Sequence, residues 1–140
     1  MTTRERALSL LNQAKIVFKE AESLYARGAW NLVVRRCQEV VELALKSALI
    51  WVGIQPPRLH DVGAVLEKHA ESFPQEFAKY IGQMASISTS LEAVRGTSFY
   101  GDEKRGIPPE VLFHSSDAEK AIQEAKFVLE QCEKLLAGEE

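Results

Sequence analysis

The chain has only two cysteines in 140 residues, too few for a disulfide scaffold. Cys37 and Cys132 both fall within apolar helical patterns, so reduced core thiols are expected rather than a bridge or a metal site. The three histidines, His60, His69 and His114, share no i,i+3 or i,i+4 spacing with one another or with the cysteines. No zinc signature follows, and no metal is expected. No run of about 18 uncharged apolar residues occurs, so no membrane span is expected. The opening stretch MTTRERALSLLNQAK becomes amphipathic at once and lacks a signal-peptide core, which makes the cytoplasm the expected location.

Strand-like alternation, internal repeats and low-complexity segments are also missing. Without strands there is no phosphate-binding glycine loop of the strand–loop–helix kind. No Ser-His-Asp or Cys-His arrangement can be assembled either, and no cofactor is implied. Surplus positive charge is absent as well. A net charge of −3 and a pI near 5.7 argue against a protein whose main task is coating nucleic acid. That average hides an asymmetry, because residues 1–53 carry eight Lys/Arg against five Asp/Glu and residues 54–140 carry nine against fifteen. A basic patch built from Arg27, Arg35 and Arg36 is one reading of the first half, and a solvated face is the other.

What is present reads as helix. With 46% apolar and 26% charged residues, 1–140 is expected to form one domain with a real core. Leu8, Leu11, Val17, Phe18, Ala21, Leu24 and Tyr25 predict a first helix over about 4–27, closed by Gly28. A second helix, about 29–52, carries the stripe Trp30, Val33, Val34, Cys37, Val41, Ala44, Leu45, Ala48, Leu49 and Val52. Val40, Leu43, Ile50 and Trp51 lie outside that stripe and widen it, and the polar strip of Arg35, Glu39, Glu42 and Lys46 is narrow. A helix so apolar must be buried on most sides, and a second copy of the chain is expected to help cover it.

Gly53 and Pro56–Pro57 then break the pattern. A short helix over about 61–70 follows, then a fourth from Ser72-Phe73-Pro74 to Arg95-Gly96, and a fifth from Ser116, with Glu119 at capping-box spacing, to Gly138. The expectation is an all-α, antiparallel up-down bundle of about five helices.

Between the last two helices, 96–115 form a connector far longer than the usual helix–helix link of about 2–8 residues. Phe99, Tyr100, Ile107, Val111, Leu112 and Phe113 make it too apolar for a solvated tether, so it should fold back on the bundle or a partner. Arg95 at its start has two readings: a cation in the last turn of a helix, or a phosphate ligand. His60-Asp61 precedes a helix that either residue is placed to cap. Glu42 and Lys46 have the spacing of an intrahelical ion pair, or of charges held in a groove or interface.

Taken together, Gln38, Glu42, Lys46, Gly53, Pro56, Pro57, His60 and Asp61, with RGTSFYGDE and SSDAEKAIQEAKFVLEQCEKLL behind them, resemble the HEPN domain family along nearly the whole chain. The resemblance implies a HEPN-like helical bundle that forms a homodimer, often beside a small nucleotidyltransferase in prokaryotic toxin–antitoxin pairs. Many members are metal-independent ribonucleases that use an arginine followed after a short gap by a histidine, and the dimer brings both copies of that motif into one cleft. Here Arg95 is followed by Gly96, Thr97, Ser98, Phe99 and then Tyr100, Gly101 and Asp102, with no histidine in reach and His114 well beyond.

The substitution has a chemical consequence. Cleavage through a 2′-hydroxyl needs a base poised near neutrality and a cation for charge on phosphorus. A tyrosine of ordinary pKa is only about 0.1% ionised at pH 7. The resemblance thus implies a non-catalytic dimer that binds a nucleotidyltransferase-type partner, with Arg95, Tyr100, Asp102 and His60 as candidates for nucleotide or RNA phosphate and Glu42–Lys46 as the family's helix pair. The alternatives are a ribonuclease in which Tyr100 or His114 replaces the base, and a structural adaptor with no ligand.

Overall fold

The computed structural model describes residues 1–138, and they form eight α-helices and no strand. Four are long: α1 (Thr3–Ala26), α2 (Trp30–Trp51), α5 (Ile81–Ala93) and α8 (Ser115–Ala137). Four are short: α3 (Gly63–Lys68), α4 (Gln75–Ala78), α6 (Arg95–Tyr100) and α7 (Pro109–Leu112). The expected all-α bundle is present. Its five helices become eight because the fourth splits into α4 and α5 and the long connector contributes α6 and α7.

The caps explain where the long helices begin. Thr2 accepts the Glu5 N–H at 3.1 Å while Glu5 accepts the Thr2 N–H at 2.8 Å, a reciprocal box that starts α1 a residue ahead of expectation. Gly28, at φ +73°, turns the chain between α1 and α2, and the Tyr25 and Trp30 rings meet edge-on at 5.3 Å across the turn. The start of α8 differs from the expected Ser116–Glu119 box: the helix begins at Ser115, and Asp117 Oδ2 accepts the His114 N–H at 2.8 Å.

Helix α2 is the axis of the molecule. Its buried residues run Val33, Val34, Cys37, Gln38, Val40, Val41, Ala44, Leu45, Ser47, Ala48, Leu49 and Ile50. α1 and α8 pack along it most extensively, with α5 and α6 on its remaining sides. This removes the reason for invoking a second copy to cover α2, since the chain covers that helix by itself. Cys37 and Cys132 are free, buried thiols, and burial, with Glu124 adding to it, pushes Cys37 up to about 12.

The fourth predicted helix is interrupted at Lys79–Tyr80, between α4 and α5. Its apolar periodicity runs on through the break because both pieces face one core: Phe77, Ile81, Met84, Ile87 and Leu91 are all buried. Tyr80 sits at the break with its ring edge-on to Phe127 of α8 at 5.3 Å. No described helix is long and apolar enough to cross a membrane.

Candidate functional site

The polar strip of α2 holds Glu42 and Lys46 and meets the segments that carry Arg95 and His60. At about 100° per residue, Arg35, Glu39, Glu42 and Lys46 share one face. Two structures dock on that face: α6 at its N-terminal half and the loop carrying His60 further along.

At the first contact, Arg35 Nη1 donates to the Arg95 carbonyl at 2.7 Å, and its guanidinium lies over the Phe99 ring at 3.8 Å. Ser98 Oγ donates to the same carbonyl at 2.7 Å, and Asn31 Nδ2 donates to the Ser98 carbonyl at 3.0 Å. Arg35 also faces Glu39 at 3.5 Å, and Arg36 pairs with Glu39 at 2.9 Å. The basic-patch reading of Arg27, Arg35 and Arg36 loses two of its members, because Arg35 clamps α6 and both it and Arg36 are matched by Glu39. We predict that Arg35→Ala lowers unfolding stability by about 2 kcal/mol and speeds amide exchange selectively in α6. Arg35→Lys should not restore it, because an ammonium lacks the planar stacking surface. Exchange rates read by mass spectrometry check this.

Arg95 is the first residue of α6, not the last-turn cation of the preceding helix. A helix N-terminus disfavours positive charge, so the dipole gives no reason for arginine at this position. Its Nε is buried and lacks a hydrogen-bond partner. No ion pair among the described residues involves it. Tyr100 ends the same helix and is 66% exposed. Five helical steps separate the two, so their side chains leave α6 roughly 140° apart. A cleft of about 610 Å³ lies on the side of α6 bearing Thr97, and its charged lining is Asp102, Glu103 and Asp117 against Lys104. That acidic surface disfavours a phosphate, and Arg95 is not part of it.

Asp102 stands just past α6, where its Oδ1 accepts the Arg105 N–H at 3.1 Å and its Oδ2 lies 3.6 Å from Arg105 Nε. Its backbone pairs with Ile107 in an isolated antiparallel bridge. The carboxylate shapes a turn and is not directed with Arg95. The connector does fold back, burying Phe113 while leaving Tyr100 and Val111 exposed.

At the second contact, Glu42 gathers the remaining candidates. Lys46 Nζ donates to Oε2 at 2.9 Å, Gln38 Nε2 donates to Oε1 at 3.1 Å, and His60 Nδ1 lies 3.0 Å from Oε1. Burial alone would push the Glu42 carboxyl up, but the hydrogen bonds from Lys46, Gln38 and His60 outweigh it and hold the group below its ordinary value. His60 thus pins the 54–62 loop to α2 and caps nothing, and Val62 is the N-cap of α3. Asp61 does the local work instead, accepting from the Gly63 N–H at 2.9 Å, Ser88 Oγ at 3.1 Å and Thr89 Oγ1 at 2.9 Å. It ties α3 to α5.

The candidates form two clusters, not one. Arg95 meets α2 at Arg35 and His60 meets it at Glu42, roughly 10 Å further along the helix. His114 belongs to neither, since it serves as the N-cap of α8. Sequence reasoning missed Arg35 and Asn31 as the groups that position Arg95, and the available signal was Arg35 on the narrow polar strip of a mostly apolar helix.

Fold and site define an all-α bundle in which a short helix, headed by an unpaired arginine, is clamped to a central apolar helix. The family model described as the HEPN domain matches residues 7–135, and the chain belongs to that family. Neither the curated proteins nor the solved structures contain a match to it. HEPN domains commonly dimerise.

Proposed function

We propose that this chain is one subunit of a non-catalytic HEPN homodimer that holds a nucleotide or RNA phosphate at Arg95 and docks a nucleotidyltransferase-type partner, as in cytoplasmic toxin–antitoxin modules. The observation that carries the reading is the guanidinium of Arg95. It is half-buried and unpaired, on a helix whose backbone Arg35 and Asn31 hold in place. A cation kept without a carboxylate in a protein of net charge −3 is supplied for an anion from outside. The absence of an imidazole from α6 supports binding over cleavage, since Tyr100 offers an exposed ring for stacking but no base near neutrality. The divergence of Arg95 and Tyr100 on α6 supports the dimer. One phosphate can meet both groups only if the phenol comes from a second subunit.

The test is calorimetric titration of the purified protein with a nucleoside triphosphate and a short single-stranded RNA. Saturable binding is expected, with Arg95→Ala weakening it by about 10- to 100-fold and leaving the RNA uncut in both proteins. Equal affinity in wild type and Arg95→Ala overturns the phosphate site. RNA cleavage in chelator that disappears in Arg95→Ala replaces the non-catalytic reading with the ribonuclease one. Sedimentation of a lone subunit at micromolar concentration overturns the dimer.

A further inference from the structure

The opposite end of the bundle contains a cavity that the Arg95 site does not use. The start of α1, the end of α2, α4 and the last turns of α8 line an open pocket of about 1090 Å³ there. Trp51 in its wall lies roughly 24 Å further along α2 than Arg35. The volume is at the upper end for small-molecule sites, which run to about 1,000 Å³. Phe77 and Leu135 are buried in its wall, beside the half-buried rings of Trp51 and Tyr80.

Two features give this apolar space a chemical preference. Gln131 reaches it from α8 and is only 8% exposed, yet its side-chain amide makes no hydrogen bond with any described residue. An amide that keeps so little contact with water and has no partner among the described residues gains from a polar group arriving in the cavity. Among the described residues, the lining carries three cations, Arg4, Lys79 and Lys134, against one carboxylate, Glu76. Glu76 binds Lys79 at 3.0 Å, so the surplus charge rests on Arg4 and Lys134. The Arg4 guanidinium lies over the Trp51 ring at 4.0 Å, holding a positive charge directly above the apolar wall.

We propose that this cavity binds an amphipathic organic anion, with an apolar fatty-acyl or arylalkyl body against Trp51, Phe77 and Leu135 and a carboxylate head met by Arg4, Lys134 and the Gln131 amide. Apolar burial gives such a ligand its affinity, and the cations with the amide select the acid over the corresponding alcohol. The inference is independent of the phosphate reading, since no residue is shared.

The chain has two tryptophans, so Trp30→Phe leaves Trp51 as a reporter inside the cavity. Titration of that variant with dodecanoate below its micelle concentration, and separately with 3-phenylpropanoate, identifies which kind of apolar body fits. A saturable fluorescence change with at least one acid is expected. Its affinity should fall about tenfold when Arg4→Gln and Lys134→Gln are combined, and comparably in Gln131→Leu. Arg4 and Lys134 are exposed, so the double variant keeps the fold. Dodecanol should bind more weakly than dodecanoate, acetate should not bind, and Arg95→Ala should change nothing. Absence of saturation with both acids overturns the proposal. So does undiminished affinity in the double variant, dodecanol binding as tightly as the acid, or a response that disappears with Arg95→Ala.

Discussion

Gly101→Ala is expected to lower unfolding stability by about 3 kcal/mol, with the loss concentrated where α6 meets the following turn. Two costs combine. Gly101 sits at φ +70°, ψ −158°, a conformation almost confined to glycine and worth about 1–3 kcal/mol when forced on another residue. A Cβ there would also overlap the Ile107 carbonyl oxygen and approach Pro109 N to 2.8 Å. Both obstacles are backbone, and the first belongs to the bridge in which Asp102 and Ile107 exchange hydrogen bonds of 2.8 and 3.0 Å. Relief therefore requires the whole 102–109 turn to move. Gly96 provides the control. It lies inside α6, has no positive φ and would place a Cβ in open space. Gly96→Ala should be neutral or stabilise by up to about 1 kcal/mol. Thermal and urea melts of the pair check the contrast, and equal behaviour would mean that the turn does not hold the shape described.

Glu42→Ala is expected to cost about 3 kcal/mol, because one carboxylate satisfies three neighbours. Its removal leaves the Gln38 amide, in a side chain only 2% exposed, with a second unmet group beside the Oε1 that already lacks a partner. Lys46 loses its counter-ion, and the His60 loop loses its anchor on α2. The effect depends on pH in a defined direction. The folded carboxyl lies below the usual 4.5, so its contribution is full above that value and drains away as pH falls through the lower folded value. Wild-type stability should therefore drop between about pH 5 and pH 3 more steeply than that of Glu42→Gln, which cannot titrate. Urea midpoints across that range decide it. Parallel curves would show that the carboxylate is no better stabilised in the fold than in the unfolded chain.

Much of the core was legible because helical periodicity is a local property. Every member of the α2 stripe from Val33 to Leu49 is buried, and the α1 and α8 stripes pack against it except for Leu8, which lies 47% exposed. The ion pair of Glu42 and Lys46 was legible for the same reason, since i,i+4 spacing brings two side chains together in any helix. The connector was not. RGTSFY is six residues long, with no room for a period, and isolated helices shorter than about 12 residues are marginal in water. What makes it helical is supplied from sixty or more positions away by Arg35 and Asn31. The same reason defeated the capping reading of Arg95. Whether a residue ends one helix or begins the next depends on where the chain turns, and that is set by the surface it turns onto.

The amino-acid sequence by itself determined the helical class, the central place of α2, the identity of the core thiols and the absence of a histidine after Arg95. These follow from residue identity and from spacing within one helix. Only the tertiary structure decided that α2 is covered by its own chain, that Arg35 and His60 hold two separate segments on one polar face, and that Arg95 has no partner among the described residues. Pairing and burial between distant segments depend on how helices dock. The pattern along one helix says which face is buried but not what buries it.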